Sequence, residues 1–400
     1  MRHPGEFAND GVPLRAREAR STRCATAKTW PFGLPRVTLC VMTRPLSELR
    51  TVVDTIDDEL IELLERRASL VDEVAAAKRH AGLPLHDPDR ERLVIERLAA
   101  RAKGKFPASA ISAVYREVMS ACLALQQPIS VAYLGPEGTF SHMAARSLFG
   151  MGVRYVELPT ISAVADAVRR GHVDYGVAPI ENSTEGSVSY TLDCLLDGGV
   201  FLRREWVLPV EQALLGRAPT LAAITRVISH PQAFGQCRDW LAKHVPHAQL
   251  VHATSTAAAA REAATDPTTA AIASRLAAEL HGLPVIVSAV QDRTENATRF
   301  VLLAREDSPR TGDDKTTISF SLRDGKGALR RALEVFENEG VNLTRIESRP
   351  SREKAWDYVF IVDLEGHRED DSVARALQEL KERCPIVRQF GSYPRATTAP

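Results

Sequence analysis

A polar segment leads into an apolar strand at Asn296–Phe300, and two of its side chains could do chemistry on a small anion. Thr298 has a hydroxyl that can donate a hydrogen bond, and Arg299 has a guanidinium that can bind a carboxylate through two parallel hydrogen bonds. The apolar residues Val301–Leu303 predict a buried strand. Because loops entering core strands often carry binding groups, we expect both side chains to face a ligand.

The first strong helical pattern, Leu46 to about Ala81, places two cations on its apolar stripe. The stripe consists of Leu49, Val53, Ile56, Leu60, Leu63, Leu70 and Val74. Arg67 fills the gap between Leu63 and Leu70, and Lys78 lies one turn after Val74. Buried cations need partners, so the pair predicts a pocket for an anion; the alternative is that both side chains snorkel at the edge of the seam. A helix about 50 Å long cannot bury its stripe alone, so we expect it to pair with later helices and with a second subunit.

The composition favours a cytoplasmic protein that acts on small molecules. The chain has 400 residues, enough for roughly two to four domains, and its 51 basic and 51 acidic residues give a formal net charge of zero. This balance favours neither nucleic acid nor an anionic membrane as a partner, and no apolar run approaches the ~18 residues of a membrane span. The six cysteines form no Cys-x-x-Cys pair or Cys/His cluster, which argues against a disulfide framework and against a metal site.

Residues 1–43 are predicted to be disordered, because prolines and arginines are scattered among them without periodicity. Met42 directly precedes the first helix, so natural translation could begin there. The alternative is a basic transit peptide, which the interrupting acids Glu6, Asp10 and Glu18 disfavour.

The periodicity predicts three helices followed by α/β units. Asp87 or Asp89 can cap a second helix that begins near Arg90, after a turn at Gly82–Pro84, and a third helix covers about Ala108–Gln126. Strands alternating with helices then predict an α/β architecture with ligand groups at the carboxyl ends of the strands. These strands are Ile129–Leu134, Val173–Ile180, Val227–Ser229, Gln249–Ala253 and Ala270–Ala273. After a linker at 306–312, a β-α-β-β-α order predicts a small α+β sandwich.

The helical region resembles the all-helical chorismate mutases over residues 46–127. The residues that match the active-site pattern of that family are Arg50, Arg67, Lys78, Asp87, Arg90, Glu91 and Gln126, with Cys122 where the family often has Ser. The resemblance implies an intertwined helical dimer in which Arg50 reaches the partner's pocket. Arg67 and Arg50 would hold the two carboxylates of chorismate, and Lys78 and Gln126 would face the ether oxygen. Glu91, with Asp87, would take the ring hydroxyl.

Four motifs in order resemble prephenate dehydratase over residues 129–304, although each alone could be an ordinary turn or helix cap. They are the loop Gly135–Gly138, Pro-Ile-Glu-Asn-Ser at 179–183, Ser-His-Pro-Gln-Ala-Phe at 229–234, and Thr-Arg-Phe at 298–300. The resemblance implies two lobes of the periplasmic-binding-protein type, with crossings near Leu208 and Val285 and the site in the cleft between the lobes. Thr298 would donate to the leaving hydroxyl and Arg299 would hold a carboxylate. The remaining implied groups are Asn182, Ser229 and Gln236 for the ring substituents, and Glu181 for proton supply or geometry.

The end of the chain resembles the ACT regulatory domain, in which phenylalanine binds between paired domains. The matching residues are Gly327, Ala328, Leu329, Asn342, Glu347, Ser348, Arg349 and Pro350, with Lys326 where Pro is common.

Together the resemblances indicate a bifunctional enzyme of the P-protein type, with domains at 44–128, 129–305 and 314–394. Such an enzyme rearranges chorismate to prephenate, converts prephenate to phenylpyruvate without a cofactor, and is inhibited by L-phenylalanine. A homodimer or higher homo-oligomer is expected. Two alternatives remain open: an enzyme that prefers arogenate, and a non-enzymatic amino-acid sensor.

Overall fold

The computed structural model describes residues 44–82, 86–323, 325–350 and 358–396. The predicted disorder of residues 1–43, the proposed start at Met42 and the turn residues Leu83–Pro84 lie outside this range. The chain divides into two compact units between Glu59 and Leu60. In the first unit the structure describes residues 44–59, and the second unit contains all later elements.

Three helices form the helical domain: α1 (Leu46–His80), α2 (Pro88–Ala100) and α3 (Ala108–Gln126). Asp87 caps α2, because its side chain accepts a hydrogen bond from the backbone N–H of Arg90 at 3.0 Å. The helix therefore begins two residues before the predicted start at Arg90, with Pro88 in its first turn, where no N–H is needed. By length and composition α3 could cross a membrane, contrary to expectation. In the structure it packs against α2.

Two sheets flanked by helices form a two-lobed domain, and the predicted α/β class is confirmed. Lobe 1 contains β1 (Ser130–Leu134), α4 (Phe140–Phe149), β2 (Arg154–Leu158), α5 (Ile161–Arg169), β3 (Tyr175–Asn182), β4 (Gly186–Ser187), α6 (Ser189–Asp197), β5 (Phe201–Pro209) and β11 (Ala297–Ala304). Lobe 2 contains β6 (Ala213–Gly216), β7 (Arg226–Ser229), α7 (Pro231–Gln236), α8 (Arg238–His244), β8 (Gln249–His252), α9 (Thr256–Ala263), β9 (Thr269–Ala273), α10 (Arg275–His281) and β10 (Val285–Val287). The strand orders are β2-β1-β3-β11-β5, with β4 on β3, and β10-β6-β9-β7-β8.

The returning strand β11 brings the two ends of the domain's sequence together. It lies between β3 and β5 and is antiparallel to both, and Thr298 pairs with Asn182. Its first residues therefore lie at the edge of the sheet where β1 and β3 end, the edge at which open α/β sheets bind ligands. The strand predicted to end at Ile180 continues through Asn182, so Glu181 and Asn182 are strand residues and not loop residues.

The C-terminal domain is the predicted α+β sandwich with one additional strand. It contains β12 (Asp314–Ser321), α11 (Ala328–Asn338), β13 (Leu343–Pro350), β14 (Tyr358–Glu365), α12 (Asp371–Arg383) and the unpredicted β15 (Val387–Pro394). The antiparallel sheet has the order β13-β14-β12-β15. At Gly391 a Cβ would collide with the backbone of Leu202 in β5, so glycine permits β15 to approach lobe 1 closely. Phe390 and Tyr393 join the core of lobe 1, which fixes the two domains together.

Candidate functional site

A pocket of about 290 Å³ lies among residues of α1, α2 and α3 in the second unit. Its lining includes seven of the residues predicted for chorismate: Arg67, Lys78, Asp87, Arg90, Glu91, Cys122 and Gln126. The Arg67 guanidinium donates to Sγ of Cys122, and Glu91 lies 3.5 Å from Nε2 of His86. Oε1 of Gln126 is buried and has no hydrogen-bond partner among the described residues. The pocket thus combines charged side chains with an apolar wall.

The charges of this pocket suit a small anion. Three cationic and two acidic side chains line it, so its own residues supply one net positive charge. A ligand with two carboxylates would be matched if one more cation entered. Arg50, the eighth predicted residue, belongs to the first unit, where its side chain is exposed.

A larger cleft of about 610 Å³ separates the two lobes, and it contains three of the predicted residues. Thr298 and Asn182 reach it from lobe 1, and Gln236 reaches it from lobe 2. The glycine loop contributes Gly135, and the helix that follows contributes Ser141.

The hydroxyl of Thr298 is held in a donating orientation by Asn182. Oδ1 of Asn182 accepts hydrogen bonds from the backbone N–H groups of Thr184 at 3.0 Å and Glu185 at 3.2 Å. These bonds turn the amino group of Asn182 toward β11. That amino group donates to Oγ1 of Thr298 at 2.8 Å and to Oδ1 of Asn296 at 3.0 Å. Because Asn182 occupies an acceptor position of the hydroxyl, the proton of Thr298 remains available for a ligand in the cleft.

Three helix starts lie at this cleft and can attract an anion there, although the acidic Glu185 also lines it. The helices α4, α7 and α9 begin there, capped by the side chains of Thr139, His230 and Ser255. The free N–H groups of a helix start attract anions. No lysine or arginine lines the cleft among the residues that the structure describes. An adjoining cavity of about 520 Å³, which shares Glu185, Gln232 and Gln236 with the cleft, brings in Arg238 and Arg293 together with Asp239 and Asp292.

Arg299, predicted as the carboxylate anchor, lies outside the cleft. Neighbouring residues of a strand point to opposite faces, and β11 begins at Ala297, so Thr298 and Arg299 cannot both face the ligand. The Arg299 guanidinium instead lies 2.7 Å from Asp363 of β14 and 3.3 Å from Glu205 of β5. Burial alone would lower the pKa of Arg299, but the carboxylates of Asp363 and Glu205 raise it above its usual value. Arg299 therefore joins the two-lobed domain to the C-terminal domain.

Glu181 and Ser229 also lie outside the lining of the cleft. Glu181 alternates with Asn182 on β3, faces the side of Arg299 and lies 3.4 Å from its Nε. Ser229 is fully buried, and its hydroxyl donates to the carbonyl of Ile272 at 2.7 Å. That hydrogen bond joins β7 to β9, so the Ser229 hydroxyl is engaged in a contact within the sheet.

Several cleft residues had no signal in the sequence. Gln212 lies in the crossing between the lobes, where no motif occurs, and its Nε2 donates to Oε1 of Gln236 at 3.1 Å. Its own Oε1 is buried without a partner among the described residues. Ser187 of the short strand β4 also lines the cleft. Arg238 and Arg293, which line the adjoining cavity and not the cleft, belong to no recognisable sequence motif either.

The glycine loop is held by a neutral histidine, and this predicts an acid-sensitive fold. Nδ1 of His142 accepts the backbone N–H of Gly138 at 3.2 Å, and its ring stacks on Tyr133 at 4.5 Å. Burial and the charge of Arg146 lower the pKa of His142 from 6.5 to about 4, while the charge of Glu157 acts in the opposite direction. Between these pH values the unfolded chain binds more protons than the folded chain. The free energy of unfolding should therefore fall as the pH decreases through this window, by at most about 1.4 kcal/mol per pH unit.

Urea unfolding at several pH values measures this slope. The slope should be smaller in His142→Gln, whose amide can still accept from Gly138. An equal slope in both proteins would show that other groups cause the loss of stability in acid.

The predicted effector residues divide between two faces of the C-terminal domain. On β13 the side chains alternate, so Glu347 and Arg349 are half-buried while Ser348 and Pro350 are exposed. Arg349 lies 2.7 Å from Asp193 of α6. The remaining residues of the set are Gly327 and Ala328–Leu329 at the start of α11, and Asn342 before β13.

Three family models match consecutive parts of the chain: chorismate mutase type II over residues 49–127, prephenate dehydratase over 131–308 and the ACT domain over 316–382. A bifunctional chorismate mutase/prephenate dehydratase from Aquifex aeolicus (strain VF5) is 45% identical over 355 residues, which cover 88% of this chain and 98% of the relative. A crystal structure of prephenate dehydratase from Arthrobacter aurescens in complex with L-Phe is 38% identical with a TM-score of 0.63, and the match covers 68% of this chain and 92% of that chain.

A structure described as GqqA, a novel type of quorum quenching acylase, is 32% identical with a TM-score of 0.62, and the match covers 67% of this chain and 98% of that chain. Proteins with this fold are therefore described with more than one chemistry. A shared fold therefore does not by itself assign the roles of individual residues in the cleft.

Proposed function

Because the chain belongs to the family of bifunctional chorismate mutase/prephenate dehydratases, we propose that the helical pocket is its chorismate site and the interlobe cleft its prephenate site. The chain is an enzyme that rearranges chorismate to prephenate and then converts prephenate to phenylpyruvate. The dehydratase assignment rests on the hydrogen bond from Asn182 to Thr298, which leaves the Thr298 hydroxyl free to donate to a ligand in the cleft.

The mutase reaction needs a clamp and no covalent group. The rearrangement is unimolecular, so the pocket accelerates it by holding the reactive conformer and placing donors at the ether oxygen. Arg67 holds one carboxylate, and Lys78 and Gln126 meet the charge that develops on the oxygen. Glu91, with Asp87, accepts from the ring hydroxyl.

The dehydratase reaction expels two groups from one ring. The bond to the ring carboxylate breaks and releases carbon dioxide, its electron pair makes the ring aromatic, and the ring hydroxyl takes a proton and leaves as water. Thr298 donates a hydrogen bond to that departing oxygen. The starts of α4 and α9 hold the carboxylates, and Arg238 and Arg293 contribute from the adjoining cavity. In this proposal these helix starts and arginines anchor the carboxylates of prephenate in place of Arg299.

The protein acts as a homodimer in which Arg50 completes the partner's pocket. In the first unit Leu49, Val53 and Ile56 are about half exposed, and in the second unit Leu60 and Leu63 are likewise exposed. A stripe of this length on a helix is typical of an interface between subunits.

Mixing two inactive variants tests this arrangement. Arg50→Ala and Arg67→Ala chains, unfolded and refolded together, should regain about a quarter of the mutase activity, since half of the dimers are mixed and each has one intact site. If Arg50 acted within its own chain, the mixture would stay as inactive as its parents. Each variant refolded alone is the control.

We further propose a cytoplasmic location, prephenate as the preferred substrate over arogenate, and phenylalanine binding at Glu347–Pro350 with Gly327–Leu329 and Asn342. The described cysteines, Cys122, Cys194, Cys237 and Cys384, are free thiols, which suits a reducing compartment. The family relationship favours an enzyme over the sensor alternative.

One assay with the full-length enzyme tests the combined proposal. Chorismate should disappear, phenylpyruvate should appear, and added L-phenylalanine should lower the second rate. Comparing kcat/KM for prephenate and arogenate decides the substrate. Consumption of chorismate without any phenylpyruvate, even with prephenate supplied, would overturn the role of the cleft.

A further inference from the structure

Arg345 of the C-terminal domain reaches across the domain interface to the two-lobed domain. It lies on β13, and only 9% of its side chain is exposed. Its Nη2 donates to Oγ of Ser187 at 2.6 Å and to Oε2 of Glu347 at 2.6 Å. Its Nε lies 3.9 Å from Glu181, and its Nη1 is buried without a hydrogen-bond partner among the described residues. One guanidinium thus contacts both domains.

The two residues of the two-lobed domain that Arg345 contacts, Ser187 and Glu181, belong to the hairpin that supports the reacting hydroxyl. Ser187 lines the cleft and pairs with Glu181 across β4 and β3, while Gly186 pairs with Asn182. Asn182 in turn orients the hydroxyl of Thr298. Movement of Ser187 would therefore displace the backbone that carries Asn182.

The second partner of Arg345 belongs to the proposed effector site. Glu347 is two residues farther along β13, on the same face, and shares the same Nη2 group with Ser187. The ammonium group of an amino acid is a cation that pairs with a carboxylate. If it bound Glu347, it would compete with Arg345 for that carboxylate and repel the guanidinium.

We propose that Arg345 is a positioning residue for the dehydratase cleft, and that an amino-acid ammonium bound at Glu347 weakens its hold on Ser187. The second half rests on the proposed binding of phenylalanine at Glu347. The first half depends only on the contacts among Arg345, Ser187 and the β3–β4 hairpin. Arg345 touches no reacting atom and acts through Ser187 and Asn182.

The test uses the full-length enzyme with Arg345→Gln, which removes the charge but keeps a polar side chain. We expect kcat for prephenate to fall about tenfold with a smaller change in KM, because the hydroxyl is misplaced while the carboxylate sites remain. Inhibition by L-phenylalanine should weaken, and chorismate turnover should stay unchanged. Arg345→Lys should restore part of kcat, since an ammonium can still donate to Ser187.

A matched control separates this effect from a general weakening of the interface. Arg388 of β15 also reaches the two-lobed domain, where it donates to the carbonyl of Leu196 at 2.6 Å, away from the cleft. Arg388→Gln should leave kcat and inhibition unchanged. Ser187→Ala tests the other end of the contact, and the double variant with Arg345→Gln should be no slower than the slower single variant.

The outcomes distinguish this inference from the proposed function. An Arg345→Gln enzyme with normal kcat and normal inhibition would overturn the inference, as would additive effects in the double variant. If L-phenylalanine neither bound nor inhibited the unaltered enzyme, the effector site would fail, while a lower kcat in Arg345→Gln would still support the positioning role. Calorimetry with L-phenylalanine separates lost binding from lost coupling in each variant.

Discussion

Replacing Thr298 by Val should reduce kcat for prephenate by about 10²–10³-fold and leave chorismate turnover unchanged. Val has nearly the shape of Thr but no hydroxyl, so the departing oxygen loses its donor. The substitution should be tolerated structurally, because the amino group of Asn182 keeps the Asn296 side chain at 3.0 Å and the Ala297 carbonyl at 3.3 Å as acceptors. Phenylpyruvate formation from supplied prephenate measures the effect.

Two companion variants make the result specific. Thr298→Ser keeps the donor and should retain most of the activity, whereas Thr298→Ala should behave like the Val variant. If Thr298→Val kept its rate within about threefold, another group would have to protonate the leaving oxygen, and the role of Thr298 would be wrong.

Side chains alternate along a strand, and this explains why the sequence at 296–300 predicts a ligand site but not which side chain faces the ligand. Its composition marks a ligand site, but which side chain faces the ligand depends on where the strand begins. Once β11 begins at Ala297, Thr298 and Phe300 share the cleft face and Arg299 faces the opposite side. The same alternation on β3 separates Asn182 from Glu181. A shift of one residue in the strand boundary would exchange these roles.

Contacts between distant parts of the chain were beyond prediction from local patterns. Asp363 is fully buried, and burial would raise its pKa, yet Arg299 and Arg345 hold that pKa below its usual range. Nothing in the spacing of these residues indicates that they meet. The sequence does not predict the strand β15 for a related reason. Its contacts, with β12 in the sheet and with β5 of lobe 1, form only in the folded chain.

The helical pocket was predictable because its geometry follows from local periodicity. Residues 67, 71, 74 and 78 are spaced by four, three and four, so they lie on one face wherever the helix packs. The capping motif at Asp87 then fixes where α2 begins, which places Arg90 and Glu91 in its first turn. The helix therefore predicts the position of Arg67 without knowledge of the tertiary fold.

Replacing Arg67 by Ala should reduce chorismate turnover by about 10²–10³-fold, the second large effect expected, and leave the conversion of supplied prephenate unchanged. The guanidinium lies in the pocket against Cys122, so its loss removes a carboxylate anchor and one of the three cations in the lining. Both KM and kcat should suffer, because the clamp both binds chorismate and holds its reactive conformer. Loss of chorismate under initial-rate conditions is the measurement.

Arg66 provides a matched control, since it is the preceding residue of α1, is exposed and does not line the pocket. Arg66→Ala should turn over chorismate at the normal rate, and Arg67→Lys should keep the charge but lose bidentate geometry and fall between the two. If Arg67→Ala and Arg66→Ala were equally active, the cation on the apolar stripe would be a snorkelling side chain. Lys78 and Arg90 would then be the cations of the lining that hold a dianion in this pocket.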